Sequence, residues 1–341
     1  MKKFRQSFFV MLIVSIFLQQ IIFPDRSFAI EGGQEVSGTQ LVLPLMMDLG
    51  IGKDAFGNPS NKASFLCSAS LITSQIILTA AHCVARPNTS DGSLTVPTSN
   101  FKLLVPGGDF NVSGNSISVE KVVFTPGYAN FWRPESGDTR TQKDDIAFLF
   151  LSKPISAELA NYKIEIASEQ EVTEIKQSGK LIKHFGYGYQ QKGLISGKPY
   201  SIELITNQLG SGRYPTSAAE NSRTISTNET GSKAICPGDS GSPWYAEIDG
   251  KLKLVANTVG GSGCGGGSSN GTIGTLVYPY LDLMNKEWSA FQKTYQTQTS
   301  KVIPSAAPEK KPGIYVTCIK GKVTKKLLTS DGKCPSGYKK K

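Results

Sequence analysis

Thr79-Ala80-Ala81-His82-Cys83 and the later Gly238-Asp239-Ser240-Gly241-Ser242-Pro243, with Ser240 lying 158 residues after His82, decide how this chain is read. They set an imidazole and a serine hydroxyl in two constrained local settings, in a chain of 341 residues with only two histidines. A serine hydroxyl is a poor nucleophile at neutral pH. Acyl transfer therefore needs an imidazole to take its proton and a carboxylate to orient that imidazole. Between the two stretches lies Lys143-Asp144-Asp145-Ile146-Ala147-Phe148-Leu149-Phe150-Leu151, an acidic pair entering an apolar, strand-like run. The last acid before such a run is the one expected to be buried, which selects Asp145 over Asp144.

The order His82, Asp145, Ser240 in strand-rich surroundings resembles the chymotrypsin-like (trypsin-fold) serine peptidases, and not the chain orders of the α/β-hydrolases or subtilisins. The resemblance covers residues 30 to about 296. It implies an all-β fold of two six-stranded β-barrels with the active site between them, closed by a C-terminal helix. It makes His82 the general base, Asp145 its orienting carboxylate and Ser240 the nucleophile, with the N–H groups of Gly238 and Ser240 as the oxyanion hole. Thr258 matches the residue whose hydroxyl bonds the buried aspartate, where serine is more usual, and Ser242 stands where glycine is common. No metal or organic cofactor is implied.

Six cysteines allow 15 pairings. The resemblance pairs Cys67 with Cys83 and Cys236 with Cys264, which leaves Cys318 and Cys334 for each other. A zinc site is the alternative, but the chain has neither a Cys-x-x-Cys pair nor a spare histidine near its cysteines. His184, in Lys183-His184-Phe185-Gly186, is taken as structural.

Residues 1–29 have the form of a cleaved export signal. Lys2, Lys3 and Arg5 precede an apolar run from Phe8 to about Phe23, and Ser27-Phe28-Ala29 ends small-x-small. The run is short and interrupted for a membrane span. Cleavage after Ala29 exposes Ile30-Glu31-Gly32-Gly33, similar to the mature amino terminus of the family, whose new α-amino group pairs with the aspartate preceding the nucleophile, here Asp239. A secreted or extracytoplasmic protein is expected.

The remaining chain divides into a peptidase domain over 30–295, a linker over 296–313 rich in Thr, Gln, Ser, Pro and Lys, and a small basic two-cysteine module over 314–341. Strand-like runs are Leu71 to Leu78, Lys102 to Val105, Ile117 to Phe124, Ile146 to Leu151 and Leu252 to Val259. Helical spacing of apolar residues runs from Tyr278 to about Tyr295. Residues 85–100 and 128–143 read as polar loops bordering a cleft. The net charge of +10 is concentrated at the ends: residues 301–341 hold eleven lysines against Glu309 and Asp331, and residues 30–300 carry about −2. The high isoelectric point therefore belongs to the tail, which could touch anionic cell-surface polymers. Nucleic acid is not an expected partner, and a monomer acting on proteins or peptides is.

By the resemblance, the primary substrate pocket is lined by Ala234, Gly260 and Gly271, with Ile235 and Thr258 beside them. No carboxylate stands at its base, so large apolar side chains are expected ahead of Lys or Arg. Two further functions remain open on sequence alone: a non-catalytic surface-binding protein on the same scaffold, and an esterase.

Overall fold

The structure is a computed structural model that describes residues 30–48, 52–53, 59–60, 64–87, 94–95, 101–103, 106–108, 117–125, 128, 144–189, 197–207, 222–229, 233–261, 271–302, 314–321, 323–329 and 333–341. The expected export signal, the greater part of both expected cleft loops, Cys264 and most of the expected linker lie outside these residues.

Two antiparallel sheets carry the domain. The first has six strands: β1 (Leu43–Asp48), β2 (Ser64–Thr73), β3 (Ile76–Thr79), β4 (Phe101–Leu103), β5 (Lys121–Phe124) and β6 (Ala147–Phe150), in the order β5-β6-β3-β2-β1-β4. The second has six long strands: β7 (Leu181–Gly186), β8 (Tyr200–Ile205), β9 (Thr224–Thr227), β10 (Pro243–Ile248), β11 (Lys251–Gly260) and β12 (Thr272–Leu276). Their order is β8-β7-β10-β11-β12-β9; Gln34–Glu35 adds to the β8 edge and Glu165–Ile166 pairs in parallel with β11. The all-β class and the division into two sheets are as expected, with the second sheet enlarged by these two short strands.

Burial explains why the apolar runs became strands. Every residue of β3, β6 and β12 is buried, as for strands covered on both faces, whereas β8 and β9 alternate toward a one-sided core. Leu43, Leu71, Ile77 and Leu149 pack in the first core, and Ile182, Trp244, Val255 and Leu276 in the second. The run expected as one strand from Leu71 to Leu78 is broken at Ser74-Gln75. There the Thr73 hydroxyl accepts from the N–H groups of Gln75 and Ile76 and turns the chain.

Among the described residues, two longer helices accompany these sheets. Helix α1 (Glu169–Ser178) was not expected from its hydrophobic spacing. Its capping box is complete, with Glu171 N–H donating to Ser168 Oγ and Ser168 N–H to Glu171 Oε2, and Gly179 ends it at φ 65°. Val172 and Ile175 bury its inner face in the second core. Helix α2 (Leu281–Val302) follows a single turn of 3-10 helix at Tyr278–Tyr280 and runs past the expected end near Tyr295. Trp288 of α2 packs edge-on to Phe150 at 5.1 Å, and Lys121 pairs with Glu287 at 2.7 Å, fixing the helix start on the first sheet.

The C-terminal unit is a three-stranded sheet in the order β14-β13-β15, from β13 (Ile314–Lys320), β14 (Val323–Thr329) and β15 (Lys339–Lys340). Cys318 is fully buried and bonded to Cys334.

Candidate active site

The histidine is positioned from three directions. Strand β3 leads through Ala80 into a 3-10 turn, Ala81–Cys83, and the Cys67–Cys83 disulfide ties that turn back to β2. Asp145, 1 % exposed, precedes β6, the strand paired with β3. Its Oδ1 accepts from the His82 backbone N–H at 2.9 Å and its Oδ2 lies 2.5 Å from His82 Nδ1. An ionised carboxylate can only accept, so Nδ1 carries the proton and Nε2 keeps its lone pair. Burial by itself disfavours the imidazolium. The charge of Asp145 and its hydrogen bond outweigh that, and the His82 titration is raised above its ordinary 6.5. The Asn257 side chain donates to the Asp145 carbonyl at 3.1 Å.

The adjacent acid goes elsewhere. Asp144 sits at φ 59°, in the left-handed region that Asp tolerates better than most residues. Both of its oxygens accept from Arg223 Nη1, at 2.9 and 3.0 Å, and the Tyr280 hydroxyl donates to Oδ1. The Cys67 and Cys83 sulfurs near His82 are bonded to each other, so no thiolate faces the imidazole.

The serine loop is docked against this turn. Ser68 N–H donates to the Ser240 carbonyl at 2.8 Å, and the Ser68 hydroxyl donates to the Gly238 carbonyl at 3.0 Å. Gly241 approaches so closely that a Cβ there would lie 2.1 Å from Thr79 Oγ1 and 2.8 Å from the Ala80 nitrogen, so only glycine fits two residues from the histidine. Gly238 holds φ 95°. Among the described residues, neither the Gly238 nor the Ser240 N–H has an acceptor. Two preset donors beside a serine are suited to stabilising a developing oxyanion.

Asp239, fully buried, accepts from the N–H groups of Gly188 at 2.7 Å and Cys236 at 2.8 Å. Burial pushes its carboxyl up to about 8, with the charge of Glu229 adding to the rise and the two backbone donors opposing it. Ile30 is also fully buried, against Tyr200, Ile202 and Ile235, while Glu31 and Ala234 exchange backbone hydrogen bonds. Its nitrogen is still in a peptide bond to Ala29, and the structure does not bring it into contact with Asp239.

Thr258 and Gly271, two of the expected pocket residues, are held by their own contacts. The Thr258 hydroxyl pairs with Ser242 Oγ and accepts from Trp244 Nε1, each at 2.7 Å, and does not reach Asp145. The two departures from the family pattern thus form one pair, the hydroxyl at 242 meeting the hydroxyl at 258. Gly271 lies against β9, where a Cβ would be 2.2 Å from the Thr227 carbonyl oxygen. The next residue, Thr272, turns toward Ile235 and Gly261 instead, because neighbours on a strand point to opposite faces. Ala234 and Ile235 are buried beside the serine loop, and Gly260 ends β11 half-buried. Cys236 is disulfide-bonded. His184 is buried against Trp244 at 4.3 Å, and burial drives its titration down to about 3. Arg223, Asn257, Tyr280 and Glu229 were not anticipated. Glu229 Oε1 accepts from the Ile235 N–H at 3.0 Å and from the Thr272 hydroxyl at 2.5 Å.

Residues 30–284 match the protein-family model described as Trypsin. Among curated proteins, vitamin K-dependent protein C of Rattus norvegicus is 25% identical over 65% of this chain and 46% of its own length. Chymotrypsin-like elastase family member 1 of Macaca fascicularis is 25% identical over 64% of this chain and 77% of its own. Serine protease SP24D of Anopheles gambiae is 31% identical over 60% and 66%. The chain spans about half the length of vitamin K-dependent protein C. With the matched region taking in well over half of its 341 residues and carrying the His82, Asp145 and Ser240 settings, the chain belongs to the trypsin family of serine peptidases.

Proposed function

We propose that the protein is a serine endopeptidase working through His82, Asp145 and Ser240. Ser240 Oγ attacks the scissile carbonyl while His82 Nε2 takes its proton, and the oxyanion is held by the Gly238 and Ser240 N–H groups. Protonated His82, its charge balanced by Asp145, then gives that proton to the leaving amine. An acyl-serine remains, which water hydrolyses by the reverse assignment of base and acid. The observation that carries this function is the 2.5 Å contact of a 1 % exposed Asp145 with His82, on a turn against which the serine loop is docked. Peptide-library cleavage with Ser240→Ala as control tests it. Cleavage that survives Ser240→Ala sinks the assignment, and ester turnover without peptide turnover favours an esterase.

Cleavage before Ile30 is the proposed activating step. It creates an ammonium beside the Ile235–Asp239 segment, and Asp239 is the buried carboxylate that such a charge would neutralise. Disulfides at Cys67–Cys83 and Cys318–Cys334 support a location outside the reducing cytoplasm. Ala234, Ile235 and Gly260, the proposed walls of the primary pocket, carry no charge, which supports a preference for a large apolar side chain. In the C-terminal unit, strand register puts Lys325 and Lys340 opposite Cys318 on either side, and we assign this basic sheet to contact with anionic cell-surface polymer.

A further inference from the structure

We infer that Ser68 is a positioning residue for catalysis, its buried hydroxyl fixing the direction in which the oxyanion donors point; this rests on Ser240 being the nucleophile and on the Gly238 and Ser240 N–H groups receiving the oxyanion. Among the described residues neither N–H has an acceptor, so neither is aimed by a bond of its own. Each can be aimed from behind, because across a planar trans peptide the carbonyl and the N–H point in opposite directions. The carbonyl behind the Gly238 N–H is that of Pro237, which accepts from Tyr189 N–H at 2.6 Å. The carbonyl behind the Ser240 N–H is that of Asp239, which accepts from Ser242 N–H at 2.9 Å. The second hold is local to the serine turn. The first comes from a separate segment around Tyr189, which must itself be kept in place.

The Ser68 hydroxyl supplies that anchor. It accepts from Tyr187 N–H and donates to the Gly238 carbonyl, each at 3.0 Å. An amide N–H can only donate and a carbonyl can only accept, so the hydroxyl proton has one orientation. One oxygen thus buckles Tyr187, two residues before the Tyr189 donor, to the glycine whose N–H is being aimed. The Gly238 carbonyl shares its peptide plane with the Asp239 N–H, which donates to the Cys236 carbonyl at 3.0 Å. Gly238, at φ 95°, is therefore set between two peptide planes that are both held. The main chain of Ser68 joins this buckle to the other reacting groups. Its N–H donates to the Ser240 carbonyl at 2.8 Å, and its carbonyl accepts from the Thr79 hydroxyl at 2.9 Å, on the strand that leads to His82. Ser68 is fully buried, so it acts through these bonds and not on substrate. Alanine at 68 would keep both main-chain bonds and lose only the buckle. Ground-state binding should then persist while the oxyanion loses its preset donors.

The test uses protein that starts at Ile30, as wild type, Ser68→Ala and Ser68→Gly, on a peptide that the wild type cleaves. Both variants should lose kcat by roughly tenfold or more while KM stays within about twofold, the pattern of an interaction made only in the transition state. Ser74→Ala, which deletes a hydroxyl bond of the same 3.0 Å length to the Ala160 carbonyl, should leave kcat unchanged. A second readout pairs a peptide aldehyde with the matching peptide alcohol. The aldehyde carbon takes Ser240 Oγ, the Oγ proton passes to His82, and the carbonyl oxygen turns toward the two N–H groups; the alcohol binds without that step. Calorimetric titration with the alcohol also counts folded sites, so a poorly folding variant is corrected for. Ser68→Ala should weaken the aldehyde by roughly tenfold or more and leave the alcohol within about twofold. Unchanged kcat in both Ser68 variants, or equal weakening of aldehyde and alcohol, overturns the inference. Failure of the nucleophile assignment looks different, since then Ser240→Ala keeps the advantage of aldehyde over alcohol.

Discussion

Relative to a chain that begins at Ile30, retaining a single residue before Ile30 should cost the domain stability as pH rises, through Asp239. With Ile30 in a peptide bond, the Asp239 carboxyl titrates at about 8 against an ordinary 3.8. A raised pKa means that the folded state binds the proton more tightly. The contribution is therefore fully present below pH 3.8 and is lost as pH climbs through 8. Each unit corresponds to about 1.36 kcal/mol, so the loss between pH 4 and pH 7 is on the order of 4 kcal/mol, comparable with the low end of the ~5–15 kcal/mol that holds a typical domain together. A chain beginning at Ile30 offers its α-ammonium to the carboxylate and should escape this loss. The assay is urea unfolding of the Ala29-start and Ile30-start proteins at pH 5, 6 and 7. Their stability difference should widen by about 1.4 kcal/mol per pH unit, and Asp239→Asn should flatten it. Parallel pH curves for the two chains would refute the proposed pairing of Ile30 with Asp239.

Since the proposed mechanism needs neutral His82 and its titration lies above 6.5, the acid limb of kcat/KM should fall above pH 6.5; Asp145→Asn should lower turnover by about 10⁴-fold and move that limb down, as a pH–rate profile would reveal. Thr258→Val strands the Trp244 N–H and the Ser242 hydroxyl, both fully buried, and should destabilise by roughly 2–4 kcal/mol in urea, whereas Thr258→Ser should be nearly silent. Arg223→Gln uncovers Asp144, but Arg223 is 52% exposed, so a loss of only about 1–2 kcal/mol is expected, with the acid limb unmoved. Lys325→Gln with Lys340→Gln should weaken retention on a polyanionic resin at low salt and leave peptide turnover alone, which elution and kinetics on the same sample would check.

The proposed catalytic groups were legible because they occur in narrow local settings: the alanines and cysteine around His82, the glycines around Ser240, and an apolar run that buries the acid before it. What was missed is of two kinds. Some signals were local and present, such as Ser168 and Glu171 bracketing a helix start with Gly179 at its end, and Thr73 preceding a turn. Others are set by tertiary pairing. Gly271 lies against the Thr227 carbonyl while Thr272 reaches Glu229, because on a strand one residue exchanges the two faces. Thr258 abandons the aspartate because Ser242 presents a hydroxyl where glycine has none. Glu229 meets Thr272 across 43 residues of chain, and no pattern around Asn228-Glu229-Thr230 announces that meeting.

The most direct measurement is intact-mass analysis of protein starting at Ile30 after brief mixing with a chromogenic acyl ester and acid quench. One acyl group per chain, located on Ser240 by peptide mapping and absent in both His82→Ala and Ser240→Ala, is the expected result. An unmodified chain under conditions where peptides are cleaved, or an acyl group on any other residue, would contradict catalysis through Ser240.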